Sequence, residues 1–489
     1  MTDQDTAVIP VRTARHQVPR VDALWAYSAL AERFGREQVH LLESAGGPAQ
    51  DRRHDYIGFG VLLTVSVSRG AVRVEGVPAV RDAVLGNVRP LLAESGGELR
   101  LPSLDRLWPL LRAVRDSFEN AGSAAFFRFG FLAHFAYDVA GYIERLPRLI
   151  EEGPDLPDVQ LVLCQGHVIS DVRSGESELV LAESPRWPAI DPADISRRLA
   201  AAGPPQPALG EPPPASVRDD TDYEEYADAV RQSLEHIAVG DIYQVQIGHE
   251  IGISSTIDPL EVYQRLRARN PSPYMYLSAL AGHTVIGASP ELFVRVQDGT
   301  VTMRPIAGTI PHRGDVEDAE AARSLRRDPK ELAEHTMLVD LCRNDIGRIC
   351  QPDTLAVPQA LVVEPFSHVS HLVSTVVGQA ASDVDAFDII TALFPAGTMT
   401  GAPKIRAMEI IEELERSRRG LYSGAIGLID VGGYTNLALC IRTLIHRDGR
   451  YGARASAGIV ADSVAEREWT ETLAKAGAGY WAVTGRELR

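Results

Sequence analysis

Two pairs of glutamates, far apart in the chain, concentrate the chemistry of this sequence. Glu331 and Glu334 lie in DPKELAEHTMLVDL; Glu468 and Glu471 lie in DSVAEREWTETLAKA. Each pair is spaced i, i+3, which sets two carboxylates on one face of a helix. Asp328 followed by Pro329 is a start signal for the first helix. Ser463 and Glu466 have capping-box spacing for the second. Like charges three residues apart repel unless a cation lies between them. Two such faces brought together would suit a hard divalent ion, Mg2+ with several retained waters. The same spacing also describes two solvated helix faces. An apolar run follows the first pair, and Lys475 follows the second on the same face.

Other residues have chemistry that their neighbours leave open. Glu291, after Ser-Pro, is a general acid if burial raises its pKa, or a surface-turn glutamate if it does not. His368 and His371 sit in SHVSHLVS, where a histidine is more often structural than catalytic. Arg442 lies in the strand-like run CIRTLI. A buried guanidinium there needs an anion, met equally by a substrate carboxylate or an internal salt bridge. A metal together with an inward arginine suggests a small polycarboxylate substrate. The turn PAGTMTGAPK feeding a helix could present N–H groups to an anion, or be a plain turn. It is not a Walker loop, because Ala402 and Pro403 separate Gly401 from Lys404.

The elements that must hold these groups are readable in outline. With 489 residues the chain can bury a large core, and 45% hydrophobic with 24% charged residues is globular composition. A net charge of -17 argues against nucleic-acid or anionic-membrane partners. Four cysteines without C-x-x-C spacing, no signal-like start and no spanning apolar run point to the cytoplasm. Residues 1–18 read as a flexible tail and 19–200 as an N-terminal region. A proline-rich linker spans 201–217, and 218–489 forms a catalytic region. VQDGTV is a hairpin signal. Adjacent strand-like runs mixed with helices predict an α+β fold with largely antiparallel sheets.

RPIAGT, HTMLVDLCRNDIGRIC, PAGTMTGAPKIRAMEII and SAGIVADS, with the second glutamate pair, resemble the chorismate-utilising enzymes. The pattern is most similar to the synthase subunit (component I) of anthranilate synthases, and LLES and AYDVAGYIERLP extend it over nearly the whole chain. The resemblance implies two large, mainly antiparallel sheets packed as a sandwich and flanked by helices. It implies that Glu334 and Glu471 ligate Mg2+, with Glu331 and Glu468 supporting through water. Arg442, Tyr422, Thr398, the backbone at Gly308-Thr309, and Ser456, Ala457 and Gly458 would hold the substrate. Glu291 would protonate the departing C4 hydroxyl, His371 would serve pyruvate elimination, and Lys475 would lie beside the metal-bound carboxylate.

Two positions bear on the nucleophile. Water-using relatives carry a lysine base where this chain has Gln244, and 4-amino-4-deoxychorismate synthases carry a nucleophilic lysine where it has Ala307. Both imply ammonia attack at C2. The main reading is therefore anthranilate synthase component I, with a tryptophan site at Glu43, Ser44, Pro273, Tyr274 and Met275 that is either regulatory or structural. The alternative is a 2-amino-2-deoxyisochorismate synthase that releases the amino intermediate. It is raised by Ser456 in place of the family's first Gly of Gly-Ala-Gly, by GHEI after the GDIYQVQI strand, and by EPFSHVSH. A 4-amino-4-deoxychorismate synthase ranks below both. Outside these, a non-catalytic glutaminase-binding subunit is disfavoured by the complete acidic quartet. Cys164, in VLCQG, lacks a glutaminase elbow, so a separate glutaminase subunit or free ammonium is expected to supply the ammonia, in a homo-oligomer or a heterotetramer with the glutaminase.

Overall fold

The computed structural model describes residues 8–119, 122–151, 155–204, 210–311, 320, 322–367 and 369–488; His368 lies outside them. Its frame is one antiparallel ladder folded into two layers. The fold line runs along two long strands, His54–Ser68 and Val159–Asp171, which pair over nearly their full length. Their register shifts between Val61 and Leu63, and Gly60 beside that bulge takes φ 68°, a conformation glycine adopts without a Cβ penalty.

From one end of these strands the first layer continues through Val39–Glu43, Tyr274–Leu280, His283–Ser289, Thr443–Arg447, Arg450–Ile459 and Gln244–Ser254. From the other end the second continues through Gly130–Phe135, Ala425–Asp430, Thr435–Leu439, Leu292–Gln297, Thr300–Met303 and Val369–Gln379. Leu132, Val162, Tyr276, Val285, Ile426 and Leu428 fill the space between the layers. Helices Ala23–Phe34, Pro259–Arg269 and Ala465–Thr484 cover the outer face of the first. Helices Leu107–Arg115, Pro329–Gly347 and Ala386–Leu393 cover that of the second. Each sheet thus buries both faces, and the α+β sandwich expected from sequence is the fold observed.

Several local expectations need correction. Residues 12–17 are not tail: Arg12–Gln17 pairs with Ser177–Glu183, and Ile9 is fully buried against the core. Within 201–217, Ser216 opens a strand, Ser216–Asp219, that pairs with Gln244–Ser254. Ser463 does not cap the last helix. Its Oγ accepts from Val460 N at 3.0 Å, and the N-cap is Val464, without a side-chain bond. Asp328 behaves as expected, accepting from Glu331 N at 3.2 Å at the start of Pro329–Gly347. The hairpin at Asp298-Gly299 is present with both residues at positive φ. The regions before and after the proline-rich stretch share both layers, because Val39–Glu43 pairs with Tyr274–Leu280 and Gly130–Phe135 with Ala425–Asp430.

Candidate active site

Strand alternation builds one wall. Gln244–Ser254 pairs with Arg450–Ile459 so that Gln246 faces Gly458 and Gly248 faces Ser456. Gln244, Gln246, Ser456 and Gly458 therefore share a face, while Val245, Ile247 and Ile459 turn the other way into an apolar cluster with helix Lys404–Leu414. Ala457, expected at the substrate, points to that second face, is fully buried, and can offer only its backbone. Gly458 leaves room for both amides: a Cβ there would lie 2.6 Å from Gln244 Nε2 and 3.0 Å from Gln246 Nε2 and push these side chains aside. Gln244 is 1% exposed, and its Oε1 has no hydrogen-bond partner among the described residues. Ser456 Oγ lies 2.7 Å from the Tyr422 hydroxyl and 2.9 Å from Gln246 Oε1.

Behind this wall is a buried ionic platform that sequence reasoning missed. Arg419 donates to Glu415 Oε1 at 2.7 Å and to the Gln246 carbonyl at 2.9 Å, and Arg454 donates to Glu415 Oε2 at 2.8 Å. Burial opposes ionisation of Glu415, but the two guanidinium charges outweigh it and hold its carboxyl below the usual range. The pair Glu415–Arg419 at i, i+4 was the available signal.

Glu291 occupies the turn between His283–Ser289 and Leu292–Gln297. Burial pushes its carboxyl up to about 8, against the lowering pull of the Thr398 hydroxyl, 3.2 Å away, and of the Arg442 and Lys475 charges. At neutral pH it is mostly a neutral acid. Arg442 is not within a strand. It sits in the bend before Thr443–Arg447 at φ 50°, with its carbonyl accepting from Ala288 N at 3.1 Å. Burial lowers its pKa, opposed by Glu291. Lys475 Nζ donates to the Ser456 carbonyl at 2.9 Å and pairs with Glu471 at 2.7 Å. Glu291, Thr398, Arg442, Lys475, Ser456 and Tyr422 thus form one neighbourhood.

The second layer supplies the opposing side. At Gly308, φ 61°, a Cβ would come within 2.9 Å of Glu331 Oε2, so glycine lets that carboxylate lie against the strand Ile306–Pro311. The Gly308 carbonyl is 2.9 Å from His371 Nδ1, and Thr309 is in register with His371. Ala307 is 8% exposed. The turn carrying Thr398 packs on the same helix as Glu331 and Glu334: a Cβ at Gly397 would meet Leu341 at 2.9 Å. That turn is not an anion loop built on Lys404, whose ammonium pairs with Asp345 at 2.9 Å and donates to the Leu393 carbonyl.

The quartet Glu331, Glu334, Glu468 and Glu471 offers only hard oxygen donors, the set a Mg2+ ion takes, with space for one carboxylate secured by Gly308. Among the described residues, the group whose ligand atoms already lie within 4.8 Å of one another is a different one, Asp219, Asp220 and His249. There the ligands are engaged: His249 Nδ1 with Asp219 at 2.7 Å and Nε2 with Thr472 at 2.8 Å, its ring stacked on Trp469. His249 of the GHEI departure is thus structural.

Glu43, Ser44, Pro273, Tyr274 and Met275 line one cavity of about 40 Å³ together with Tyr56 and Asn436. Glu43 accepts from Tyr263 at 2.7 Å and from Arg267 Nε at 2.9 Å; Ser44 Oγ donates to the Pro273 carbonyl at 3.0 Å.

A buried carboxyl at Glu291, with the partly buried Arg442 guanidinium and the Lys475 ammonium near it, suits a small anionic molecule. The chain belongs to the chorismate-binding enzyme family, whose model matches residues 91–479. It is 62% identical over its whole length, and that of the relative, to 2-amino-4-deoxychorismate synthase of Streptomyces globisporus. It is 38% identical to anthranilate synthase component 1 of Mycolicibacterium smegmatis, covering 93% of this chain and 86% of that protein. Among solved structures it superposes on anthranilate synthase component I from Streptococcus pneumoniae with a TM-score of 0.72 at 29% identity, over 87% and 92% of the two chains. The menaquinone-specific isochorismate synthase of Escherichia coli, 17% identical, shares the fold with a TM-score of 0.69 over 98% and 95%.

Proposed function

We propose that this enzyme aminates chorismate at C2 with ammonia and releases the amino intermediate without eliminating pyruvate. That product, 2-amino-2-deoxyisochorismate, is the same molecule as 2-amino-4-deoxychorismate: nitrogen at C2, no oxygen at C4. The observation that carries the reading is the 62% identity, over both full lengths, to a protein named for making it, against 38% to an anthranilate synthase component. The alternative from the sequence is thereby preferred to the anthranilate reading, and Ser456 remains the local feature that agrees with it.

The chain's own groups support the first half-reaction. Arg442, a guanidinium beside Glu291, would hold a substrate carboxylate. Ammonia adds at C2, the ring double bonds shift, and the C4 hydroxyl leaves as water with the proton carried by Glu291. The surplus proton on the new nitrogen then returns to the Glu291 carboxylate and restores the acid. Gln244, an amide with a buried, unpartnered oxygen, cannot activate water as a lysine base would, so the already nucleophilic ammonia is favoured. Glu331, Glu334, Glu468 and Glu471 are the residues that would hold Mg2+, which when bound offsets the charge of a substrate carboxylate. Ammonia comes from a separate glutaminase: Cys164 is 2% exposed and burial pushes its thiol up to about 12, which leaves no thiolate to attack glutamine.

The test is product analysis with chorismate, ammonium and Mg2+. The reading expects a mass that retains the enolpyruvyl group and no anthranilate fluorescence. Anthranilate as the main product would return the assignment to anthranilate synthase.

A further inference from the structure

Ser456 is 1% exposed, Tyr422 6% and Gln246 8%, and their polar ends touch in a row. A hydroxyl carries a single proton. Gln246 Oε1, 2.9 Å from Ser456 Oγ, takes the serine's. Ser456 Oγ, with its proton used, can meet the Tyr422 hydroxyl at 2.7 Å only as an acceptor. With the serine's proton on Gln246, Tyr422 is the donor of the bond to Ser456. The Gln246 backbone is held in place, its main-chain carbonyl accepting from Arg419 at 2.9 Å and its main-chain N–H donating to the Thr400 carbonyl at 2.8 Å.

Resting on the proposed function, we infer that Gln246 is a positioning residue that acts through Ser456 to turn the Tyr422 proton away from the substrate, weakening the hold on a substrate carboxylate and favouring departure of the amine before pyruvate elimination. With glycine at 456 the tyrosine proton would be free to reach the substrate carboxylate. A buried hydrogen bond to a charged group is stronger than one between neutral groups, so the direction of this one proton alters retention.

The experiment is a double-mutant cycle read in KM for chorismate, with kcat recorded separately. Tyr422→Phe should raise KM by less than about threefold in the natural background and by about tenfold or more with Ser456→Gly. Ser456→Ala, which keeps the strand's Cβ and removes only the hydroxyl, should behave as Ser456→Gly does. Gln246→Leu leaves the serine but takes its acceptor away, and should likewise enlarge the cost of Tyr422→Phe. Equal KM effects of Tyr422→Phe in all backgrounds would overturn the inference, as would an effect confined to kcat or to thermal midpoint. Pyruvate release by the natural enzyme is scored separately: it would defeat the functional reading while leaving the KM coupling to stand or fall by itself.

Discussion

Glu291 and Glu471 are the same residue type held in opposite surroundings, and Lys475 is near both. Glu291 is 7% exposed and is pushed up to about 8 by burial. The Glu471 side chain is 49% exposed and pairs with Lys475 at 2.7 Å. The first is suited to giving a proton; the second is an exposed ion-pair member. Burial, not residue identity, divides the two roles. Exposure also separates Glu468, 7% exposed, from its i+3 partner Glu471, a difference that the shared helical face had hidden.

The largest effect that would break this contrast comes from Glu291→Gln. It removes the proton but keeps the shape, and turnover should fall by about 10²- to 10⁴-fold with KM little changed. Loss of only a few-fold in kcat would remove Glu291 as the acid. Next are Glu334→Gln and Glu471→Gln, which should each raise the Mg2+ concentration for half-maximal rate by an order of magnitude or more while the fold persists. Near-natural activity at limiting Mg2+ would dissociate these carboxylates from the metal.

The pH dependence sharpens the comparison at smaller scale. Glu291 works only while protonated, so kcat at saturating ammonia should decline as pH rises through about 8, even though free ammonia increases. Its folded pKa lies above its unfolded value of 4.5, so the folded state binds the extra proton between these values. Stability from this group is full below pH 4.5 and lost as pH rises through 8. Glu291→Gln should therefore raise the thermal midpoint at pH 8 by a few degrees, a gain in stability at a site that has lost its chemistry. Buried histidines run the other way. Burial lowers His40 to about 4 and His134 and His167 to about 3, so the unfolded chain takes up protons first below pH 6.5. Thermal midpoints should drop between pH 6.5 and 4.5, and His134→Gln should flatten that drop.

What could be read in the sequence follows physical range. The sandwich, the helix start at Asp328 and the Asp298-Gly299 hairpin are set by neighbouring residues and by periodicity, and they were legible. The long motifs placed Glu291, Arg442, Ser456 and Lys475 in one family site, and the structure brings these into one neighbourhood. Arg442 read as strand because its neighbours are apolar; its positive φ answers to the pairing of the flanking strands, which is not local information. Ser463 read as a cap because spacing says nothing of the competing Val460 N–H. The strand at residues 12–17 was hidden because RTARHQ has no apolar alternation and gains its order from Ser177–Glu183. Gln246 was within reach: two residues beyond Gln244 on one strand, it had to share that residue's face.

Turnover that stops at the amine leaves the enolpyruvyl group on the product. The direct measurement is pyruvate formed per chorismate consumed by the purified chain with ammonium and Mg2+, with pyruvate read by an added lactate dehydrogenase. The expected ratio is near zero while chorismate disappears; a ratio near one, with anthranilate rising in step, would show that pyruvate is eliminated and overturn the proposed function.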